Sequence, residues 1–358
     1  MELKKIQDAN LKGKNVLVRV DFNVPLKKGG GIEETYKIRS AKATVDHILS
    51  KEGAVTLISH LGRPLEQHKD NLGSGIESMG EFSLKKIIPD ARDILGVDIK
   101  LISSCDSNVI KKSRKESGDE NRVFLLENIR FYKEEEENDE NFSADLAENF
   151  DIFINEAFSV CHRAHASVVG VAKNLPSYAG FHLQREVENL ERVKNYPEHP
   201  AVAIIGGAKI ETKLPLIKSL SDNYDFILVG GKIANEAIDQ GIKFDEKVIL
   251  PFDFADADRF DIGPKTIDKF IEVIDQAETI VWNGPMGMFE KEPFDRGTRK
   301  ILEAVIGSGA FAVVGGGESI QAIEQGGFMD KLSFVSTGGG AMLEFLSGEK
   351  MPGLEVLE

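Results

Sequence analysis

Four short apolar runs in the first half of the chain end in residues that could bind or move charge. Run 16–20 leads into Asp21, Phe22 and Asn23, and run 54–58 into Ser59, His60, Leu61, Gly62 and Arg63. Run 123–126 leads into Glu127, Asn128, Ile129 and Arg130, and run 152–154 into NEAFSVCHRAH, which holds His162, Arg163 and His165. Lys37 and Arg39 follow the first run. A single loop arginine is ordinarily a solvated surface group. Arginine repeated at successive strand ends is different, because its planar fork grips phosphate or carboxylate through two parallel hydrogen bonds. This half reads as a site for a small, highly anionic ligand.

In the second half the runs end in glycine instead. Run 201–205 continues as Gly206, Gly207, Ala208 and Lys209, run 226–229 as Gly230, Gly231 and Lys232, and run 280–281 as WNGPMG. Run 312–314 continues as GGGES and run 333–335 as STGGGAM. Glycine where a strand turns into a helix lets the backbone approach a ligand, and the helix start offers N–H groups and a positive dipole end. Repetition of this pattern, with Lys209 and Lys213 one helical turn apart, points to a nucleotide polyphosphate. Neither GxxxxGK[ST] nor a GxGxxG fingerprint with its acidic partner is present, which argues against a nicotinamide-linked oxidoreductase.

These loops need strands to aim them. Short β-branched runs alternating with amphipathic stretches of helical length predict an α/β chain, with ligands at the carboxyl ends of parallel strands. At ~150 residues per domain, 358 residues predict two domains. A composition of 41% apolar and 29% charged residues fits folded cores with solvated surfaces. The net charge of −15 disfavours nucleic acid as a partner. No run approaches the ~20 apolar residues that cross a bilayer. The polar start MELKKIQDANLKGKN lacks a secretory core segment, and Cys105 and Cys161 are too few for a disulfide framework and too far apart in sequence for a CxxC metal or redox pair, so a reducing cytoplasm is expected. Residues 173–200 read as a connector plus an interdomain helix. The charged runs 111–122 and 133–141 read as solvated faces without chemistry. Cys161 and Trp282 read as packing residues, while His162 and His165 are either packing residues or part of the site around Arg163.

The strings VLVRVDFNVPL, LISHLGRP, LLENIRFYKEEE, NEAFSVCHRAHASVVGV, IIGGAKIETKL, VWNGPMGMFE, VVGGGESIQAI and FVSTGGGAMLEFLSGEKMPGLEVL, in that order along the chain, resemble the phosphoglycerate kinase family. The resemblance implies two doubly wound, Rossmann-like parallel-sheet domains joined by a hinge helix. Residues 1–180, with 346–358 returning, would bind phosphoglycerate, and 181–345 the nucleotide. Hinge points are expected near Gly180 and before Leu343. The implied activity is reversible phosphoryl transfer between 1,3-bisphosphoglycerate and ADP, with Mg²⁺, in glycolysis or gluconeogenesis, by a monomer. Asp21, Asn23, Lys37, His60, Arg63, Arg130 and Arg163 would contact phosphoglycerate. Gly207, Lys209, Lys213, Gly231, Asn283, Glu290, Gly316, Gly317, Glu318 and Ser319 would hold the nucleotide, with Glu290 on the ribose, Lys209 and Lys213 on the phosphates and Glu318 facing the metal. Lys37 and Lys209 would be the catalytic cations.

The chain departs from the family pattern in places. Where the family carries arginine in R-I-[KR]-A, this chain reads Lys37, Ile38, Arg39, Ser40. Lysine keeps the charge and loses the fork, and Arg39, one residue on, points ~100° away around a helix. Lys37 is therefore expected at the site, with reduced turnover. Glu318 replaces an aspartate, FSVCHR replaces FGTAHR, and the stretch between Phe254 and Asp261 is short, near the expected adenine. These changes sustain a rival reading, a catalytically weak family member that acts as a phosphoglycerate- or nucleotide-binding protein.

Overall fold

Runs rich in Val, Ile and Leu suit a pleated surface, and strands covered on both faces read as continuous apolar stretches. The computed structural model describes residues 1–28, 30–67, 80–118, 122–208 and 210–358. Within it, β1 (Asn15–Arg19), β2 (Ala54–Ile58), β3 (Lys100–Ile102), β4 (Val123–Leu126), β5 (Ile152–Asn155) and β6 (Ser177–Ala179) form one sheet in the order β3-β4-β2-β1-β5-β6. All of its pairings are parallel. A second parallel sheet contains β7 (Ala201–Ile205), β8 (Phe226–Val229), β9 (Val248–Ile249), β10 (Thr279–Asn283), β11 (Phe311–Gly315) and β12 (Phe334–Ser336), in the order β12-β11-β10-β7-β8-β9. Both sheets are doubly wound. The chain leaves β1 toward one edge and returns on its other side at β5, and it does the same from β7 to β10. Such switch points open a crevice at the carboxyl ends of the strands.

The chain divides into two compact units, Met1–Arg185 with Met351–Glu358, and Glu186–Lys350. Alternation along β1 sends Val16 and Val18 into one core layer with Val55, Leu57 and Ile154, and Leu17 into the opposite layer with Ile58, Phe124 and Phe153. In the second unit one face of the sheet, with Ile204, Ile280, Trp282 and Val314, is covered by apolar residues of helices Pro264–Ile274 and Arg296–Ser308. The first of these begins with proline, which needs no N–H partner there. Asp253 accepts from the N–H groups of Thr266 (2.7 Å) and Lys265 (3.0 Å), and Ile267, Phe270 and Ile274 recur on the buried side. Burying each such side chain contributes about 1.5–3 kcal/mol.

Strands β3, β6 and β9 were not expected from the sequence. They are three, three and two residues long, too short to show alternation. Residues 173–200 hold β6 and the helix Phe181–Asn195. The start of that helix stays with the first unit because Glu156 accepts from the N–H groups of His182 (3.1 Å) and Leu183 (3.2 Å). The C-terminal return begins at Met351, not at residue 346, since Leu346 is buried in the second unit and its carbonyl accepts from Ser219. Beyond it, Gly353 N–H donates to Cys161 O at 2.8 Å, so close that a Cβ at residue 353 would lie 2.8 Å from Cys161 Cα.

Candidate active site

The carboxyl ends of β1, β2 and β5 bring the first group of residues together. Lys37, in the one-turn helix Tyr36–Ser40, sets its Nζ 3.4 Å from Asp21 Oδ2 and donates to Asn23 O at 3.1 Å. Asn23 Oδ1 accepts from Gly62 N–H at 2.9 Å, tying the β1 and β2 loops. Burial alone would raise the Asp21 carboxyl; Lys37 first, then Ser159 and the Asn23 N–H, outweigh it and hold it below the ordinary carboxylate range. Burial likewise works against the Lys37 charge, and Asp21 and Glu34 outweigh it. Arg39 is exposed and donates to Thr35 Oγ1, so Lys37 is the cation of this turn that faces the cluster.

The remaining cations crowd one another. Arg130 Nη1 donates to Gly62 O at 3.0 Å, while its buried Nε makes no hydrogen bond and lies 3.6 Å from Glu136. Burial, then Arg19, lowers the Arg130 guanidinium to about 10, with Glu136 opposing. His60 Nδ1 faces Arg19 Nη2 at 3.1 Å, and burial followed by Arg19, Arg130 and Lys37 pushes the imidazole well below its usual range. Arg163 Nε donates to His162 Nε2 at 3.1 Å, and burial, then Arg163, drives His162 to about 4. Both histidines are thus neutral at pH 7. Arg63 stands apart, half-exposed and paired with Glu66 at 3.2 Å.

Beneath the cluster lies a support that sequence reading missed. Arg19, the last residue of β1, is fully buried; its Nε donates to Ser167 Oγ at 2.9 Å. Ser167 gives its N–H (2.7 Å) and its hydroxyl (2.6 Å) to Glu135, whose carboxylate is also 3.6 Å from His165. Glu135 is 0% exposed, which corrects the reading of 133–141 as merely solvated. Its burial would raise its carboxyl, but His165, Arg19 and Ser167 outweigh this and lower it. Removing either charge would leave the other buried and less well compensated.

In the second unit the glycine loops lace together. Gly206, Gly207 and Gly231 donate to Asn283 O (2.8 Å), Pro285 O (3.1 Å) and Met286 O (2.8 Å). A Cβ on Gly206 would lie 2.1 Å from Pro285 O, and one on Gly231, which has φ +64°, 2.8 Å from the same oxygen. Close backbone approach therefore demands these glycines, and their N–H groups serve neighbouring loops. Gly207 (φ +105°) and Gly317 face open space, and Gly316 (φ +103°) starts the helix Gly317–Gln325. That helix start remains available to an anion.

These loops wall a cleft of about 440 Å³ lined by Gly207, Gly231, Glu290 and Glu318. Asn235, Asp239, Arg259, Phe260 and Met288 line it too and were not foreseen. The signal for two of them was available, since Gly231, Asn235 and Asp239 recur every four residues along helix Gly231–Asp239. Buried Lys213 contacts Asn283 Oδ1, and burial lowers its ammonium to about 8, with Glu318 opposing. Glu318 is raised by burial, then by Glu290. Ser319 Oγ accepts from Gly284 N–H at 3.2 Å. Lys209 lies outside the described residues. Among the described residues no group of three or more His, Cys, Asp or Glu is placed to hold a metal ion. No described helix is long and apolar enough to cross a membrane.

Strand ends bearing cations on one doubly wound sheet and glycine on another are the layout of a nucleotide-using phosphotransferase with an anionic second substrate. The phosphoglycerate kinase family model matches residues 6–251 and 243–349. Phosphoglycerate kinases of Finegoldia magna and Borrelia garinii subsp. bavariensis are 40% and 39% identical, each over 100% of both chains. Solved phosphoglycerate kinase structures from Coxiella burnetii (33% identity, TM-score 0.78, 99% of each chain) and Pyrococcus horikoshii OT3 (27%, 0.83, 99% of this chain and 98% of that one) share the fold. The chain belongs to the phosphoglycerate kinase family.

Proposed function

We infer that the protein transfers a phosphoryl group reversibly between 1,3-bisphosphoglycerate and ADP, giving 3-phosphoglycerate and ATP. The observation that carries this reading is the convergence of Lys37, His60, Arg130 and Arg163 at the strand ends of the first sheet, where Arg130, His60 and His162 are all depressed by burial and then by neighbouring positive charge. A bound anion would favour the charged form of each of these groups. Phosphoglycerate supplies one through its phosphate and carboxylate, with Asp21, Asn23, Lys37, His60, Arg63, Arg130 and Arg163 as its contacts.

The second unit takes the nucleotide. Glu290 holds the ribose, Lys209 and Lys213 the phosphates, and the Gly316–Ser319 turn the transferring end. Two unit charges 4 Å apart repel by about 4 kcal/mol at an effective dielectric of 20, so two polyanions need cations to meet. Phosphoryl transfer asks the protein for in-line positioning and charge stabilisation more than for covalent chemistry. The attacking carboxylate or phosphate oxygen is already ionised, so no proton relay is required. Glu318 fits a shared Mg²⁺ site, since its carboxyl is raised by burial and by Glu290 and gains from a nearby cation. Bound Mg²⁺ would neutralise charge on the nucleotide phosphates. The protein acts in the cytoplasm as a monomer.

A coupled assay with 1,3-bisphosphoglycerate and Mg·ADP tests this. Turnover well above background is expected. Intact ligand binding without turnover would instead support the binding-protein reading, which no present observation favours.

A further inference from the structure

Ser159 lies in the turn Phe158–Val160 after β5, and Asp21 lies just past β1, the neighbouring strand across the switch point of the first sheet. The Ser159 hydroxyl donates to Asp21 Oδ2 at 2.7 Å, the same oxygen that Lys37 Nζ faces at 3.4 Å. Asn23 N–H donates to Asp21 Oδ1 at 3.1 Å. Both carboxylate oxygens therefore keep a donor if the ammonium departs. Asp21 is only 8% exposed, so without Ser159 a departing Lys37 would leave Oδ2 without a protein donor where water has little access. Other charges nearby are Arg19, which faces Asp21 from β1, and Glu34, which faces Lys37.

We propose that Ser159 is a positioning residue that holds Asp21 Oδ2 so that the Lys37 ammonium can turn from Asp21 to the incoming substrate anion. The inference rests on reading this cluster as the phosphoglycerate site. Ser159 acts through Asp21 and Lys37 and need not touch the substrate. Its role follows from lysine at residue 37: an ammonium is a point charge that must choose between partners, whereas a guanidinium fork can serve two at once.

Ser159→Thr and Ser159→Val are nearly isosteric and differ in the hydroxyl, so they separate hydrogen bonding from shape. Steady-state kinetics with 3-phosphoglycerate and Mg·ATP, alongside thermal melts of both variants, provide the test. The Val variant is expected to lose kcat by roughly tenfold, the size of one hydrogen bond to a charged group, with the KM for ATP unchanged and the Thr variant within about twofold of wild type. In a Lys37→Arg background the loss from Val is expected to shrink to about twofold. Equal losses from Thr and Val, or wild-type kcat in both, would overturn the proposal. Asp21→Asn serves as the control on the underlying reading. If it leaves kcat and the KM for 3-phosphoglycerate unchanged, the site assignment fails. If it impairs them while Ser159→Val does not, only the role of Ser159 falls.

Discussion

Lys213 carries a positive charge into a buried site, and replacing it should therefore separate stability from binding. Burial lowers the ammonium from 10.5 to about 8. At ~1.4 kcal/mol per tenfold change in proton affinity, that drop is worth about 3 kcal/mol against folding at neutral pH. Because the folded value lies below the unfolded one, this cost is present in full below about pH 8 and disappears as the pH rises to 10.5. Lys213→Met keeps the length and removes the charge, but it leaves Asn283 Oδ1 without the ammonium, which costs about 1–2 kcal/mol. The variant should be about 1–2 kcal/mol more stable than wild type at pH 7, with the gain gone by pH 10. Urea unfolding followed by fluorescence reads this in the right unit, because Trp282 is the only tryptophan and adjoins Asn283. The same variant should bind Mg·ADP at least tenfold more weakly, the loss of a charge-assisted contact. Wild-type affinity should itself fall above pH 8, since at pH 9 about one-tenth of the free sites keep the proton. A Lys213→Met protein that is clearly less stable at pH 7, or that binds Mg·ADP as tightly as wild type, would refute the reasoning.

Lys37→Arg restores the fork at the residue facing Asp21 and should raise kcat by about threefold or more without changing the KM for nucleotide, as steady-state kinetics will read. Gly231→Ala forces a Cβ to 2.8 Å from Pro285 O at φ +64°; it should destabilise the second unit by about 2–4 kcal/mol and weaken Mg·ADP binding, both followed through Trp282. Glu135→Gln removes the buried carboxylate that compensates Arg19 and should cost the first unit about 3–5 kcal/mol, read as earlier loss of far-UV circular dichroism in urea together with a raised KM for 3-phosphoglycerate.

Both sheets and most of their loops were legible because β-branched runs mark parallel strands and charged residues or glycines follow them directly. Asp21, His60 and Arg130 announce themselves in that way, as does each glycine pair. Their reasons were less legible. Gly206 and Gly231 looked like phosphate-approach residues, yet the oxygen that excludes a Cβ belongs to Pro285, far along the chain. Glu135 sits in a run of four glutamates that differ in nothing local; its burial is imposed by Ser167 and His165, on and beside the π-helical turn Ala166–Gly170. The short strands β3, β6 and β9 owe their form to a sheet edge already present, and no pattern of their own encodes it. Ser159 was visible as a departure from the family string, but its partner Asp21 lies on another strand and emerges only when β1 and β5 pair.

A crystal structure with 3-phosphoglycerate and Mg·ADP both bound tests the central claim most directly. Phosphoglycerate oxygens are expected within hydrogen-bonding distance of Arg130, Arg163 and Lys37, and the ADP phosphates at Lys213 and the start of helix Gly317–Gln325. Phosphoglycerate bound away from the β1, β2 and β5 strand ends, or ADP outside the cleft between Gly207 and Glu290, would contradict it.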